Sequence, residues 1–450
     1  MRFEKLLKYL RSDMGKALVR TSIARGVAAL GALALAVVIG RLYGPDGMGV
    51  YALGYSILMG AGILVRTGSD LALMRYVSQE PNSPAVILYL RWAGRRVASL
   101  CILPMIVLWL AKGRLEVLFD APGLEAMLIG IVFALPAFTF TFVLSGFFKG
   151  VRMPATACLL ENGSVALVAG LLLMLFQWRW EAASVEWAGY AYAVAVWLVV
   201  LQGGVQVWFW YRNQSWPNAS VVCSVPVRRN DFNATARAFL ATNIAGFMQS
   251  VLSIIIAGWL LETADLGIFK SAQQTAFLIG FILVVINAIF PPKFASLYHR
   301  GDLSGLGHLA RQGALLGTLM SAPLLVVCLF FPAWLLSFFG DGFSEGAPLL
   351  RIVAVAQLIN VMTGSVGFLL NMTGHELVYR NITLICSALG LLAFLVFIPV
   401  FGAVGAAWAL AFVLVAQNMT ALFFVWRRLG IWTLPGPNFL EILGVRASGR

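Results

Sequence analysis

Charge is what this sequence has least of. Only 11% of its 450 residues are Asp, Glu, Lys or Arg, where an average soluble domain has about 25%. Hydrophobic residues reach 60%, against about 45–50% in such domains. That imbalance excludes the two or three soluble domains that the length alone would suggest. It also leaves no room for a sizeable soluble catalytic domain, since twelve membrane spans of about 20 residues consume roughly 240 positions. Histidine is nearly absent, and His299, His308 and His375 all fall in short loops. The five cysteines (Cys101, Cys158, Cys223, Cys328, Cys386) are odd in number and lack metal-ligand spacing. Neither a disulfide nor a metal site is therefore expected. No glycine-rich phosphate loop precedes a Lys-Ser/Thr pair, and the acidic loop residues are scattered rather than paired, so enzyme chemistry is not expected. The N-terminus lacks the compact charged region and small-residue cleavage site of a secretory signal.

What the chain does have is long apolar runs. Twelve of them, bounded by charge, Gly or Pro, lie near residues 22–40, 48–65, 93–111, 124–147, 155–176, 187–210, 238–261, 266–290, 313–331, 348–370, 382–400 and 403–426. They are too long for strands and show no two-residue alternation. Backbone groups in lipid must be paired within their own segment, so each run is expected to be a helix. The second run is expected to continue as helix to about Ser78, past Arg66 and Asp70. The expected fold is thus all-α and integral to the membrane, with about 12 transmembrane helices.

Orientation follows from Lys and Arg, which favour cytoplasmic loops. With the N-terminus inside, 25 of the 32 fall in inner segments and only Arg41, Lys112, Arg114, Arg179 and Arg351 in outer ones. Both termini are then cytoplasmic and the span count is even. The net charge of +13 is explained by this topology, and no nucleic-acid partner is needed.

The longest inner loop, about 211–237, sits near the midpoint and invites a search for a repeat. GPDGMGVYAL (Gly44 to Leu53) echoes TADLGIFKSA (Thr263 to Ala272), with Gly49 over Gly267. KGVR echoes TGHE, with Gly150 over Gly374, and Trp187, Gly189 and Tyr192 echo Ala403, Gly405 and Trp408. The expected organisation is two six-helix lobes, residues 1–224 and 225–450, related by a pseudo-two-fold axis along the membrane normal.

Ionisable residues inside spans are costly and are candidates for function. Arg66 and Asp70 are four apart on one face of the continuing second helix, and Arg75 follows about a turn later. They form either a charged cavity floor or a structural ion pair. Arg25 lies just inside the first run, where a snorkelling side chain is the alternative. Glu161 sits about two turns into the fifth run, placed either to carry an ion or to pair with a neighbouring cation. Lys270 sits one turn into the eighth run from the outer side, where it either snorkels outward or, in the company of Gln273, Gln274 and Asn287, forms one wall of a polar cavity. Gln357, Asn360, Gly364, Gly367 and Asn371 fall within an arc of about 80° on the tenth run. Such a stripe suits close helix packing or the binding of sugar hydroxyls, and packing has the stronger claim.

Four stretches, GRLYGPDGMGVYAL (Gly40 to Leu53), NAIFPPKFASLYHRGD (Asn287 to Asp302), LLNMTGHE (Leu369 to Glu376) and FGAVGAAWAL (Phe401 to Leu410), resemble the oligosaccharide flippase or polysaccharide biosynthesis family. That family belongs to the multidrug/oligosaccharidyl-lipid/polysaccharide exporter superfamily. The resemblance covers about residues 14 to 430. It implies two lobes in a V around a central cavity, and alternating access that moves a polyprenyl-diphosphate-linked oligosaccharide across the bacterial inner membrane. It implies the bilayer and polysaccharide polymerase or ligase machinery as partners, and no cofactor beyond proton or sodium coupling. The diphosphate would fall to Arg25, Arg66, Arg75 and Lys270. The glycan would fall to Asn243, Trp259, Gln273, Gln274, Asn287, Gln357 and Asn360. Asp70 and Glu161 are the carboxylates placed to carry an ion. The family often has an acid two residues before the glycine matched by Gly68, and this sequence has Arg66 there. A multidrug exporter on the same fold is the rival, although its cavity should be acid-rich, and a membrane glycosyltransferase or polymerase is the more distant one.

Overall fold

The computed structural model describes residues 13–181, 184–214 and 228–434. Among them every regular element is helical. Seven stretches are long and apolar enough to cross a membrane, or nine if each of two bent helix pairs is one span. The chain is a multi-pass membrane protein. It divides into two compact units, Met1–Gly267 and Ile268–Arg450.

The first unit opens with α1, Asp13–Arg66. An unbroken helix of 54 residues would run about 81 Å, far beyond a hydrocarbon core of about 30 Å. It is not unbroken. Gly44 has φ 67° and ψ −168°, a conformation glycine adopts freely. Pro45 follows, and a residue before proline is driven out of the helical region. The first two apolar runs are thus the arms of one stretch kinked at Gly44. The continuation expected past Arg66 does not occur. Thr67 and Gly68 both take positive φ, 44° and 75°, and α2 (Ser69–Gln79) starts afresh.

Next come α3 (Ala85–Phe119), α4 (Leu124–Gly150) and α5 (Pro154–Cys158). A π-helical turn, Leu159–Gly163, leads into α6 (Ser164–Trp180) and α7 (Glu186–Arg212). α3 outreaches the apolar run at 93–111 at both ends, because Arg91, Lys112 and Arg114 are good helix formers that apolarity alone does not count. α4 is the core of the unit, with Phe138, Phe147 and Phe148 fully buried. A methyl added to Gly130 would lie 2.4 Å from the Gly189 carbonyl carbon, so α4 and α7 touch backbone to backbone.

α8 (Arg229–Phe247) belongs to this unit through α2 and α3. Tyr76 Oη and Thr235 Oγ1 are 2.7 Å apart, and the Phe232 ring packs against Tyr76, Tyr89 and Trp92. Arg96 donates to Thr67 Oγ1 at 3.1 Å and to Asn233 Oδ1 at 2.8 Å, tying the break after Arg66 to α8. A second π-helical turn, Met248–Leu252, precedes α9 (Ser253–Leu260) and α10 (Thr263–Phe277). The start of α10 meets the kink of α1 reciprocally. A methyl on Gly49 would lie 1.9 Å from the Thr263 oxygen, and one on Gly267 would lie 2.0 Å from the Pro45 oxygen. Gly49 and Gly267 are 218 residues apart, as are Pro45 and Thr263.

The second unit continues with α11 (Phe281–Ile289), α12 (Pro291–His299), α13 (Leu303–Phe330) and α14 (Pro332–Ser337). A 3-10 turn at Phe343–Gly346 leads into α15 (Ala347–Thr363), α16 (Val366–Met372) and α17 (Glu376–Leu429). α17 repeats the device of α1: Gly402 (φ 58°, ψ −138°) kinks a stretch of 54 residues. Phe294, Leu306, Leu369, Leu422 and Val425 form one apolar core, sealed by Ile431 from the segment after α17.

Candidate functional site

In the first unit, ionisable side chains from α1, α2, α4 and α5 converge around Arg66. Its side chain is buried. Nε donates to the Gly62 carbonyl at 3.1 Å, Nη1 reaches Asp70 Oδ2 at 3.4 Å, and the guanidinium lies 3.7 Å from the Phe142 ring centroid. The ion pair expected from helical spacing therefore forms, but across the Thr67–Gly68 break rather than along one helix. Asp70 Oδ1 is buried with no hydrogen-bond partner. A planar cation stacked on an aromatic face and held by one carboxylate still has donors directed elsewhere.

Glu161 lies in the π-helical turn, the kind of local widening that recurs at functional sites. It pairs with Lys149 at the end of α4 and lies within Coulombic range of Arg66. Cys158, one turn earlier, neighbours Arg25, Lys149 and Glu161. Among the described residues, the cluster thus gathers Arg25, Arg66 and Lys149 with Asp70 and Glu161. Tyr51, Tyr55 and Tyr192 adjoin it. Tyr55 stacks on Tyr51 at 5.9 Å and meets Tyr192 edge-on at 5.8 Å, and it is hydrogen-bonded to Tyr192 and within range of Arg66.

Arg75, expected beside Arg66, is instead exposed on α2. Lys149 was not anticipated as a site residue. Tyr55, Tyr192 and Phe142 are ordinary aromatics of apolar runs, and nothing in the sequence separates them from lipid-facing ones.

The second unit carries a different polar arrangement around breaks in its helices. α10 and α11 meet at a 46° bend. At that bend Ser321 Oγ on α13 donates to the Ile279 carbonyl at 2.7 Å, and Gly280 packs on Gln357 of α15. Gln357 in turn accepts from Asn360 Nδ2 at 2.9 Å. Lys270 donates to buried Gln273 at 3.1 Å, and among the described residues no carboxylate pairs with it. Gln274 is half-buried, and Asn287 Oδ1 is buried without a partner. The stripe expected along one face from Gln357 to Asn371 is interrupted. Gly364 (φ 70°) ends α15, so the 100° spacing fails beyond it. Gly364 packs on Ala314 and Gly367 on Tyr379, which makes close packing the role of these glycines. Trp259 is 57% exposed on the surface of the first unit. The side chain of Asn243 lies outside the described residues.

A family model described as "Polysaccharide biosynthesis protein" matches residues 16–296. The chain belongs to that family. A second model, MatE, matches residues 239–396. No curated protein matches the sequence. Among solved structures, an inward-facing multidrug resistance MATE family transporter of the MOP superfamily is similar over 95% of this chain and 100% of its own, at 14% identity and a TM-score of 0.64. The lipid II flippase MurJ, in an inward closed conformation, is similar over 94% of this chain and 90% of its own, at 10% identity and a TM-score of 0.70. A MOP superfamily transporter from Pyrococcus furiosus, described as having a binding pocket of reverse polarity that suggests a different function, covers 94% and 97% at 13% identity and a TM-score of 0.58. The fold is that of the MOP superfamily transporters.

Proposed function

We propose that this protein is a flippase that carries a polyprenyl-diphosphate-linked oligosaccharide from the inner to the outer leaflet of the bacterial inner membrane by alternating access, with both termini cytoplasmic. The observation that carries this reading is the buried Arg66 guanidinium, stacked on Phe142 with donors left over from Asp70 and Gly62, in a cluster that also holds Lys149 and Arg25. A diphosphate entering a low-dielectric site needs cations with unspent donors. In the first unit, Arg66, Arg25 and Lys149 would hold the diphosphate; in the second unit, Lys270, Gln273, Gln274, Asn287, Gln357 and Asn360 are polar groups suited to sugar hydroxyls. Asp70 and Glu161 are the groups through which a proton or sodium ion would be coupled. The reciprocal contact of Gly49 with Thr263 and Gly267 with Pro45 supports the two-lobe, twelve-helix organisation with its pseudo-two-fold axis, because exchange of the two segments maps one contact onto the other.

The MatE match over residues 239–396 favours a second reading, export of drugs or toxins by the same fold. One experiment separates the two. Lipid-linked oligosaccharides are extracted from a deletion strain, their leaflet is assigned, and surface polysaccharide is measured. Completed units trapped on the cytoplasmic face with surface glycan lost are the expected result. Normal leaflet distribution with gained drug sensitivity would replace the flippase reading by the exporter one. Units that reach the outer leaflet but stay unpolymerised would point to an enzyme.

A further inference from the structure

A groove of about 520 Å³, lined by none of the residues of the Arg66 cluster, runs between the start of α3 and the end of α7. Pro84, Ile87, Leu88 and Arg91 line one wall, and Gly204, Val207, Trp208 and Tyr211 the other. Each set follows the same spacing of three, four and seven residues, so each is one continuous helix face. These two faces are open while their neighbours are packed. On α3, Val86, Tyr89 and Ala93 are buried, but Leu88 is 43% exposed. On α7 the contrast falls between adjacent glycines. A methyl on Gly203 would press on Leu144 at 2.8 Å, whereas one on Gly204 would meet nothing within 4 Å.

The chemistry of the walls selects the occupant. Arg91 is exposed two turns into α3, and among the described residues no carboxylate pairs with it. α3 is about 52 Å long, so its first turns project beyond a core of about 30 Å into the headgroup layer, on the side that the Lys and Arg bias makes cytoplasmic. Arg212 lies 4.8 Å over the Trp208 ring at the rim of the same groove. Two arginines, a tryptophan and a tyrosine around an apolar slot at headgroup depth are the features that hold an anionic lipid: cations for the phosphate, rings at the interface, aliphatic walls for the chains. We infer that this groove is a binding site for an anionic phospholipid of the cytoplasmic leaflet, separate from the transported molecule. The inference rests on charge complementarity and an open groove, and it stands whatever the protein transports.

The test uses the purified full-length protein in mixed micelles containing equal phosphatidylglycerol and phosphatidylcholine, with lipids that survive dissociation counted by native mass spectrometry. The parent protein is expected to retain phosphatidylglycerol about fivefold over phosphatidylcholine, the preference of one basic residue near an anionic surface. Arg91→Gln should erase that preference. Gly204→Leu, which fills the slot without touching packed neighbours, should lower retention of both lipids. Unchanged selectivity in Arg91→Gln together with unchanged retention in Gly204→Leu overturns the assignment. A change of oligomeric state in Gly204→Leu with lipid retention intact would overturn it too, and would give the groove to a second copy of the chain. Arg91→Gln leaves all packing in place, so the test survives if the leucine variant does not fold.

Discussion

Alanine at Gly49 or Gly267 tests the closest backbone approach in the first unit. The added methyl at Gly49 would stand 1.9 Å from the Thr263 oxygen, and at Gly267 2.0 Å from the Pro45 oxygen. Tolerated contacts begin at about 3.0–3.4 Å, so the kink of α1 and the start of α10 must separate by roughly 1.1–1.5 Å. The obstacle is a carbonyl of the main chain, which has no rotamer to retreat into. Overpacking of this kind costs typically about 1–3 kcal/mol, and backbone-on-backbone contact belongs at the upper end. Reciprocity adds a sharper expectation. Both substitutions open the same interface, so the second should cost little once the first is present, with a coupling of the same order as a single loss. The assay is thermal stability in detergent for Gly49→Ala, Gly267→Ala and the double variant, with Gly204→Ala as a control whose methyl meets nothing. Losses that simply add would refute the reciprocal contact. No loss in either single variant would refute the close approach itself.

Arg66→Ala and Lys270→Ala should each lower glycan export about tenfold or more, the worth of a charge-assisted hydrogen bond, at normal protein levels. Arg66→Lys should recover only part, because an ammonium cannot stack and fork as a guanidinium does, and normal surface glycan in the alanine variants would remove these residues from substrate binding. Asp70→Asn and Glu161→Gln should abolish any dependence of transport on a proton or sodium gradient, measured in vesicles with imposed gradients. Unchanged dependence would assign both carboxylates to structure. Thr433→Val should lower thermal stability by about 1 kcal/mol, as it strips the 2.7 Å hydrogen bond from the Thr363 carbonyl, while Thr433→Ser should not.

The helical architecture was legible because lipid leaves a long apolar run only one way to pair its backbone. The breaks were not, and each has a local cause that hydropathy ignores. The Gly44-Pro45 pair lies between two runs and was readable as their boundary, yet Thr67–Gly68 lies among residues that also suit a helix. The break after Phe277 carries Gly280 as its mark, but a lone glycine in an apolar run is more often a packing site. The Arg66–Asp70 pair was predicted from helical spacing and forms for another reason, since the chain reverses to positive φ between them and still returns Asp70 to the guanidinium. Lys270 and Gln273 come together as their spacing on α10 implies. Arg75 does not join Arg66, because α2 is set off by the same break and presents Arg75 outward. Lys149 does not stand out because topology alone accounts for an inner-side cation at that place, and only the fold shows it paired with Glu161.

The breaks share a further property. Backbone groups released inside a bilayer cost several kcal/mol unless they find partners, and here the partners are single side chains from elsewhere in the same unit. Ser321 takes the Ile279 carbonyl and Thr433 takes the Thr363 carbonyl, while Arg96 ties the break after Arg66 through the Thr67 side chain rather than its backbone. Each partner sits 29 to 70 residues away in sequence, so each joint gains a tie to another part of its unit beside the backbone bonds it keeps with its own helices. Interhelical hydrogen bonds of this type average about 0.6 kcal/mol in membranes. A joint tied to the rest of its unit by such a bond is defined in position, and that tie is inexpensive to break. Rigid helical segments joined at such points are what alternating access requires, since the segments must rock while their interiors stay paired. Removing the partner hydroxyl at one joint should therefore alter transport rate more than it alters folding, and Ser321→Ala is the variant that isolates this effect. Its prediction is a changed export rate at a thermal stability within about 1 kcal/mol of the parent; equal rates would leave the joint a static feature of the fold.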